Sequence, residues 1–219
     1  ETIKTIAERN GVEMYDVYTG FKWIANVMRE NEGKKNYIGG GEESYGFLCE
    51  DFVRDKDAVS ACVILAEIAA WAKDQGLSLY QLLQKIYVEY GFSKEKGISV
   101  VKKGKSGAEE IEAMMKKFRE NPLTEIAGSK VTYFYDYSTL KGKDYAENET
   151  VTLDMPTTSN VLQYFTEDNT KVSIRPSGTE PKIKFYCEVH SKVKSIDELP
   201  EAEKAAEEKI NQIKASLGI

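Results

Sequence analysis

The sequence predicts an α/β unit of layered helices and short strands, followed by a small α+β unit with a mainly antiparallel sheet and flanking helices. Three observations predict it. Over roughly the first hundred residues, apolar patterns of helical period alternate with short β-like runs, as a layered α/β unit requires. From Val131 onward, β-rich runs follow one another across short turns, with one helical pattern before them and one after. Between the two lie residues 97–107, where Lys102, Lys103 and Lys105 with Gly104 and Gly107 read as an exposed connector. No aromatic residue interleaves with those lysines, so a solvated hinge is favoured over a nucleic-acid patch.

In the first unit, residues 2–9 carry Ile3, Ile6 and Ala7 on one side, and Asn10-Gly11 is a stop signal. Residues 12–18 read as a short strand. Thr19-Gly20 then opens a helix with Phe21, Ile24, Ala25 and Met28 on one face. Lys22 falls in its first turn, where the helix dipole disfavours a cation. A visiting anion would ease that position; a solvated surface lysine also fits it. Tyr37-Ile38 reads as a strand that delivers the chain into Gly39-Gly40-Gly41-Glu42-Glu43-Ser44-Tyr45-Gly46. Three glycines after a strand imply close backbone approach or an unusual turn. Glu42 and Ser44, two residues apart on an extended backbone, aim to the same side. A carboxylate and a hydroxyl together can accept from and donate to vicinal sugar hydroxyls. Glu42 and Glu43, as neighbours, point apart and make a poor acid/base pair; a solvated acidic loop is the plain alternative. Asp57 is placed to cap a helix to about Lys73, apolar on nearly all sides and therefore expected to be buried. Ser78-x-x-Gln81 has the capping-box pattern for the next helix.

In the second unit, Ser106-x-x-Glu109 is another capping-box pattern, ahead of Ile111, Met114, Met115 and Phe118 at core spacing. Asn121-Pro122 ends that helix. Residues 131–137, 160–165 and 170–175 read as strands. Ile183, Phe185, Cys187 and Val189 alternate with Lys182, Lys184, Tyr186, Glu188 and His190, a half-buried strand with one wet face. A last helix starts near Pro200, with Ala206, Ile210, Ile213 and Leu217 inward.

The loop before that half-buried strand is Arg175-Pro176-Ser177-Gly178-Thr179-Glu180-Pro181. Its residue types suit a phosphate. Arginine offers a planar fork of donors. Ser177 and Thr179 bracket Gly178, which lets backbone N–H groups approach an anion. Two prolines stiffen the entry and exit. Lys184 lies just past the loop on the wet face, within reach of the anion. A plain hairpin turn uses many of the same residue types.

Bulk properties bound the function. The chain has 219 residues, 41% of them hydrophobic and 30% charged, an ordinary globular balance. A net charge of -6 disfavours a general nucleic-acid role, so any phosphate site must be local. No apolar run reaches membrane-spanning length, and no signal peptide is visible. Cys49, Cys62 and Cys187 lack metal-ligand spacing and fit reduced thiols in a cytoplasmic protein. His190 is the single histidine, against a His-based triad or multi-histidine metal site. The start at Glu1 suggests a piece of a longer protein.

Two stretches in register resemble one family. Gly41-Glu42-Glu43-Ser44 resembles the sugar-recognition loop of the α-D-phosphohexomutases (phosphoglucomutase/phosphomannomutase). Arg175-Pro176-Ser177-Gly178-Thr179-Glu180-Pro181 resembles the phosphate-binding loop of their last domain. Thr19-Gly20-Phe21-Lys22 and Asp55-Lys56-Asp57-Ala58 also look like family segments, and the similarity runs across essentially the whole chain. The resemblance implies four domains around a cleft, three α/β and the last α+β. Residues 1–104 would be the later, partial third domain and 105–219 the fourth. It also implies a reaction: a phosphoserine enzyme interconverts hexose 1-phosphate and hexose 6-phosphate (glucose or mannose) through a bisphosphate, with Mg2+ assisting. Glu42 and Ser44 would bond the sugar hydroxyls, with Lys22 near the sugar. Arg175, Ser177, Gly178 and Thr179 would hold the phosphate that is not transferred, with Lys184 beside it.

The family's serine nucleophile loop, of Thr-Ala-Ser-His-Asn-Pro type, has no counterpart here. Nor has its Asp-Gly-Asp-x-Asp metal loop, because Asp55-Lys56-Asp57 lacks the glycine and the third aspartate. The piece is therefore expected to bind without turning over, with no catalytic residue of its own. The nucleophile would lie in the missing amino-terminal domains of the same chain, and Mg2+ would be bound by the missing part of the parent, at the start of the third domain. A stand-alone phosphosugar-binding module is the alternative. A nucleotide kinase is excluded, since no loop ends in Gly-Lys-Ser or Gly-Lys-Thr with the required spacing.

Overall fold

Alternating runs become strands only where neighbours take their backbone N–H and C=O groups, and the two parts of this chain differ sharply in how far they supply such neighbours. The computed structural model describes residues 2–42, 45–102, 104–178 and 180–219. The chain divides into two units, residues 3–86 and 87–219.

The first unit holds helices α1 (Thr2–Arg9), α2 (Phe21–Asn31), α3 (Ala58–Asp74) and most of α4 (Leu79–Tyr90), with strands β1 (Gly39–Gly41) and β2 (Phe47–Cys49). Phe21, Met28 and Leu48 form a small core, with Ile24 and Tyr37 packed against it. The triple glycine is itself the strand, paired antiparallel with β2 so that Gly41 faces Phe47. The strand expected at Tyr37-Ile38 therefore starts two residues later. Close approach explains the glycines: a Cβ on Gly40 would lie 2.6 Å from the Tyr37 hydroxyl oxygen, and one on Gly41 would lie 2.9 Å from the Gly46 carbonyl oxygen. Residues 12–18 are not a strand, because no ladder pairs them among the described residues.

Helix starts follow the local code. The Asp57 carboxylate accepts the Ser60 N–H at 2.7 Å, capping α3. Ser78 and Gln81 make both bonds of a capping box ahead of α4, at 2.8 and 3.2 Å. The burial expected of α3 does not follow. Only Ala72 is buried, while Val59 is 73% exposed and Trp71 55%. An all-round apolar helix needs cover on every side, and among the described residues this unit's sheet is two strands of three residues each.

The second unit holds β3 (Phe92–Val101), α5 (Gly104–Glu120), β4 (Glu125–Ile126), β5 (Ser129–Asp136), β6 (Lys141–Asp144), β7 (Glu149–Thr152), β8 (Leu162–Thr166), β9 (Lys171–Pro176), β10 (Lys182–Ser191) and α6 (Leu199–Leu217). The strands run β3-β10-β9-β8-β5-β6-β7 across the sheet, with β4 paired to β5. Every pairing is antiparallel. Alternation sends Ile183, Phe185, Cys187, Val172, Ile174, Leu162 and Tyr164 to one face, where they join Ile111, Met115 and Phe118 of α5 and Ala206, Ile210, Ile213 and Leu217 of α6 in one core. The buried Tyr164 hydroxyl donates to the Phe118 carbonyl at 2.9 Å, tying strand to helix. The opposite face of β9 and β10 carries Arg175, Lys182 and Lys184.

Residues 97–107 are not a connector. Residues 97–101 complete β3, which pairs with β10 along all ten of its residues, and α5 begins at Gly104. Ser106 thus lies inside α5 rather than at its cap. Among the described residues, no helix is long and apolar enough to cross a membrane.

Candidate functional site

The phosphate-like loop is the tip of the β9–β10 hairpin. Ile183 pairs with Pro176 and Lys184 with Arg175, so the ladder runs right up to it. The turn is closed by the Ser177 N–H donating to the Lys182 carbonyl at 2.8 Å and the Lys182 N–H to the Glu180 carbonyl at 2.7 Å. The Glu180 N–H donates to Ser177 Oγ at 3.3 Å. Behind the loop, the Lys102 N–H donates to the Pro181 carbonyl at 2.9 Å, anchoring it to the end of β3.

A cavity of about 170 Å3 opens at this tip, lined by Arg175, Pro176, Ser177, Glu180, Lys182 and Lys184. Three cations and one carboxylate share it. Arg175 and Lys184 are directly opposed across the two strands, an arrangement that like charges disfavour without an anion between them. Glu180 is ion-paired to Lys182. That hydrogen bond and charge, with a smaller contribution from Lys184, hold the Glu180 carboxyl below the usual carboxylate range. A larger hollow of about 440 Å3 lies on the α5 side, where Lys105, Ala108 and Glu109 face Pro176, Ser177 and Pro181. The two hollows share Pro176, Ser177, Glu180 and Lys182 in their lining.

Three phosphate residues read from the sequence come together here: Arg175, Ser177 and Lys184. Gly178 is exposed in the same loop. Its φ is not left-handed, and a Cβ there would meet nothing within 4 Å, so the protein's own packing does not require glycine. Thr179 lies outside the described residues. Lys182 and Glu180 also line the cavity, and the sequence reading does not single them out. The signal for Lys182 was present in the alternation of β10, which puts it two residues from Lys184 on the same face.

In the first unit, Glu42 opens the turn between β1 and β2, its N–H donating to the Gly46 carbonyl at 2.7 Å. Gly46 is buried, and a Cβ on it would lie 2.8 Å from Glu42 Oε2. Gly46 thus leaves the room in which the carboxylate sits. Ser44 lies outside the described residues. Lys22 is one residue into α2, its ammonium 5.0 Å from the Trp23 ring centroid. Asp55 and Asp57 do not fit a metal centre: Asp57 caps α3, and Asp55 accepts from the Lys56 N–H and ammonium.

Two family models match the chain: the phosphoglucomutase/phosphomannomutase alpha/beta/alpha domain III over residues 1–90, and the phosphoglucomutase/phosphomannomutase C-terminal domain over residues 99–206. The chain belongs to the phosphoglucomutase/phosphomannomutase family. A phosphoglucomutase of Staphylococcus haemolyticus (strain JCSC1435) is 37% identical over 187 residues, covering 85% of this chain and 34% of that protein. One of Staphylococcus aureus (strain MW2) is 39% identical over 199 residues, 91% of this chain and 35% of that protein. The chain spans about a third of the length of the curated relatives it matches. The open form of pp63/parafusin (phosphoglucomutase), the exocytosis-sensitive phosphoprotein of Paramecium, superposes with a TM-score of 0.56 at 20% identity, covering 88% of this chain and 32% of that one. That likeness is one of fold: an α/β region, then an antiparallel sheet with flanking helices.

Proposed function

We propose that this chain is the substrate-gripping, carboxy-terminal part of a phosphohexomutase that interconverts hexose 1-phosphate and hexose 6-phosphate. The unit of residues 3–86 belongs to its third domain and that of residues 87–219, which includes β3, to its fourth. Arg175, Ser177, Gly178, Thr179 and Lys184 hold the phosphate that is not being transferred. Glu42 and Ser44 take sugar hydroxyls, and Lys22 stands on the sugar side. The observation that carries the reading is the cationic cavity at the β9–β10 tip, where Arg175 and Lys184 oppose one another beside the Ser177 hydroxyl.

Phosphoryl transfer leaves the protein mainly positioning and charge stabilisation to perform. A loop anchored by strand pairing on both sides suits positioning. Arg175 supplies two parallel donors to phosphate oxygens, and Lys184 supplies a point charge. In the parent protein, a phosphoserine passes its phosphoryl group to the hexose phosphate. The bisphosphate turns over, and its other phosphate returns to the serine. The serine and Mg2+ would belong to parts of the parent outside these residues; Asp57 caps a helix and Asp55 accepts from its neighbour Lys56.

The test is the parent enzyme assayed with glucose 1-phosphate and mannose 1-phosphate, against Arg175→Ala. Losing a bidentate charge-assisted contact should lower kcat/KM by about ten- to a hundredfold or more. Near-normal activity would defeat the assignment of the loop.

A further inference from the structure

We infer that Lys182 is a third phosphate ligand, held in reserve by Glu180 and released when the incoming phosphate displaces that carboxylate. This rests on the phosphate reading of the β9–β10 cavity and adds to it a residue and an exchange.

The geometry points to it in three ways. First, Lys182 and Lys184 are two residues apart on β10, so their side chains leave the same face, and both line the cavity with Arg175. Second, Lys182 already has an anion: the Glu180 carboxylate, from the same turn, which lines the same cavity. Third, the two partners differ in freedom. The Lys182 side chain is 26% exposed and the Glu180 side chain 59%. The lysine is part of the wall, whereas the carboxylate reaches it from solvent.

A phosphate dianion and the Glu180 carboxylate repel one another, so both cannot hold Lys182 at short range. An ion pair this open is easily broken. The lysine's replacement bond to a dianion is charge-assisted and stronger than its bond to a monoanion. Opening the pair needs no change in the turn, because the hydrogen bonds from the Ser177, Glu180 and Lys182 N–H groups all leave the Glu180 carboxylate untouched. Glu180 then acts as a selectivity filter. Monoanions such as chloride or acetate gain too little from Lys182 to dislodge it, while a phosphate monoester gains enough.

The experiment is titration of the intact chain with inorganic phosphate by calorimetry, across wild type, Arg175→Ala, Lys182→Met, Glu180→Gln and the Lys182→Met/Glu180→Gln double variant. Lys182→Met should weaken binding about tenfold. Glu180→Gln should tighten it severalfold, and by clearly less once Lys182 is gone, where only the residual repulsion between carboxylate and phosphate is relieved; that coupling defines an exchange rather than two independent effects. In the unmutated chain, the Lys182 ε-methylene NMR signal should move with phosphate, which removes any dependence on how the variants fold. A Glu180→Gln gain of equal size in both backgrounds would mean simple long-range repulsion and overturn the exchange. So would a Lys182 signal that ignores phosphate while Arg175→Ala abolishes binding; the phosphate site would then stand without Lys182. If Arg175→Ala binds phosphate as well as wild type does, both the site and the exchange fall.

Discussion

Replacing Arg175 by glutamine should separate the cost of the site from its use. Arg175 and Lys184 are directly opposed in the β9–β10 ladder. Opposed like charges cost an antiparallel pair about 0.2–1 kcal/mol. Arg175→Gln removes that repulsion and keeps a side chain of similar reach. Without phosphate, the variant should be as stable as wild type or up to about 1 kcal/mol more stable at low salt. The difference should close in about 1 M salt, where the screening length falls to about 3 Å. Phosphate should reverse the order. At a hundred times its Kd, the ligand stabilises wild type by about 2.7 kcal/mol. A variant binding ten- to a hundredfold more weakly gains only about 0.4–1.4 kcal/mol at the same concentration. Urea unfolding followed by far-UV circular dichroism, with phosphate exchanged for chloride at constant ionic strength, reads both quantities. A variant that is clearly less stable without phosphate, yet keeps the full phosphate gain, would make Arg175 a structural residue and not a phosphate ligand.

Other outcomes follow from particular contacts. Gly178→Ala should leave unfolding unchanged, because its Cβ meets nothing in the protein, but should weaken phosphate binding in calorimetry by crowding the backbone approach. Gly107→Ala runs against helix propensity. Alanine in a helix normally gains about 1 kcal/mol over glycine, but here its Cβ would lie 2.2 Å from the Lys102 carbonyl oxygen, so a net loss of about 1–3 kcal/mol is expected in urea unfolding. Burial pushes the Cys187 thiol from 9.0 up to about 11. Between those values the unfolded chain has lost a proton that the folded chain keeps, so stability should fall as pH rises, by about 1.4 kcal/mol per pH unit from this group. Cys187→Ala should flatten that slope in urea unfolding run from pH 9 to pH 11; an unchanged slope would show the thiol is not the cause. The exposed apolar face of α3 should bind the dye ANS, and Val59→Lys with Leu65→Lys should reduce that fluorescence without changing helix content.

The second unit was the more legible in the sequence, and the reason is period. Ile183, Phe185, Cys187 and Val189 alternate without a break, and Ile111, Met115 and Phe118 keep helical spacing; each set went to the core. The strands β6 and β7 gave no such signal. Their sequences, Lys141-Gly142-Lys143-Asp144 and Glu149-Thr150-Val151-Thr152, are nearly all polar and are held by ladder pairing at the edge of the sheet. Lysines and glycines at 97–107 suggested a hinge, yet β10 offers a full-length partner that overrides composition. In α3, the sequence correctly gave a helix and its cap, and misjudged burial, because burial depends on what else is present to cover the face. At the β9–β10 cavity, Arg175, Ser177 and Lys184 were readable from residue type and order. Lys182 and Glu180 were not, since their pairing depends on how the turn folds back.

Everything proposed for this chain requires the β9–β10 tip to hold a phosphate. The most direct measurement is an 15N-labelled NMR titration of the chain with glucose 6-phosphate. The backbone signals of Ser177, Gly178 and Glu180 and the Arg175 Nε–Hε signal should shift together and saturably, and Arg175→Ala should abolish the response. Signals at this tip that stay fixed through the titration, in a folded chain, would contradict it.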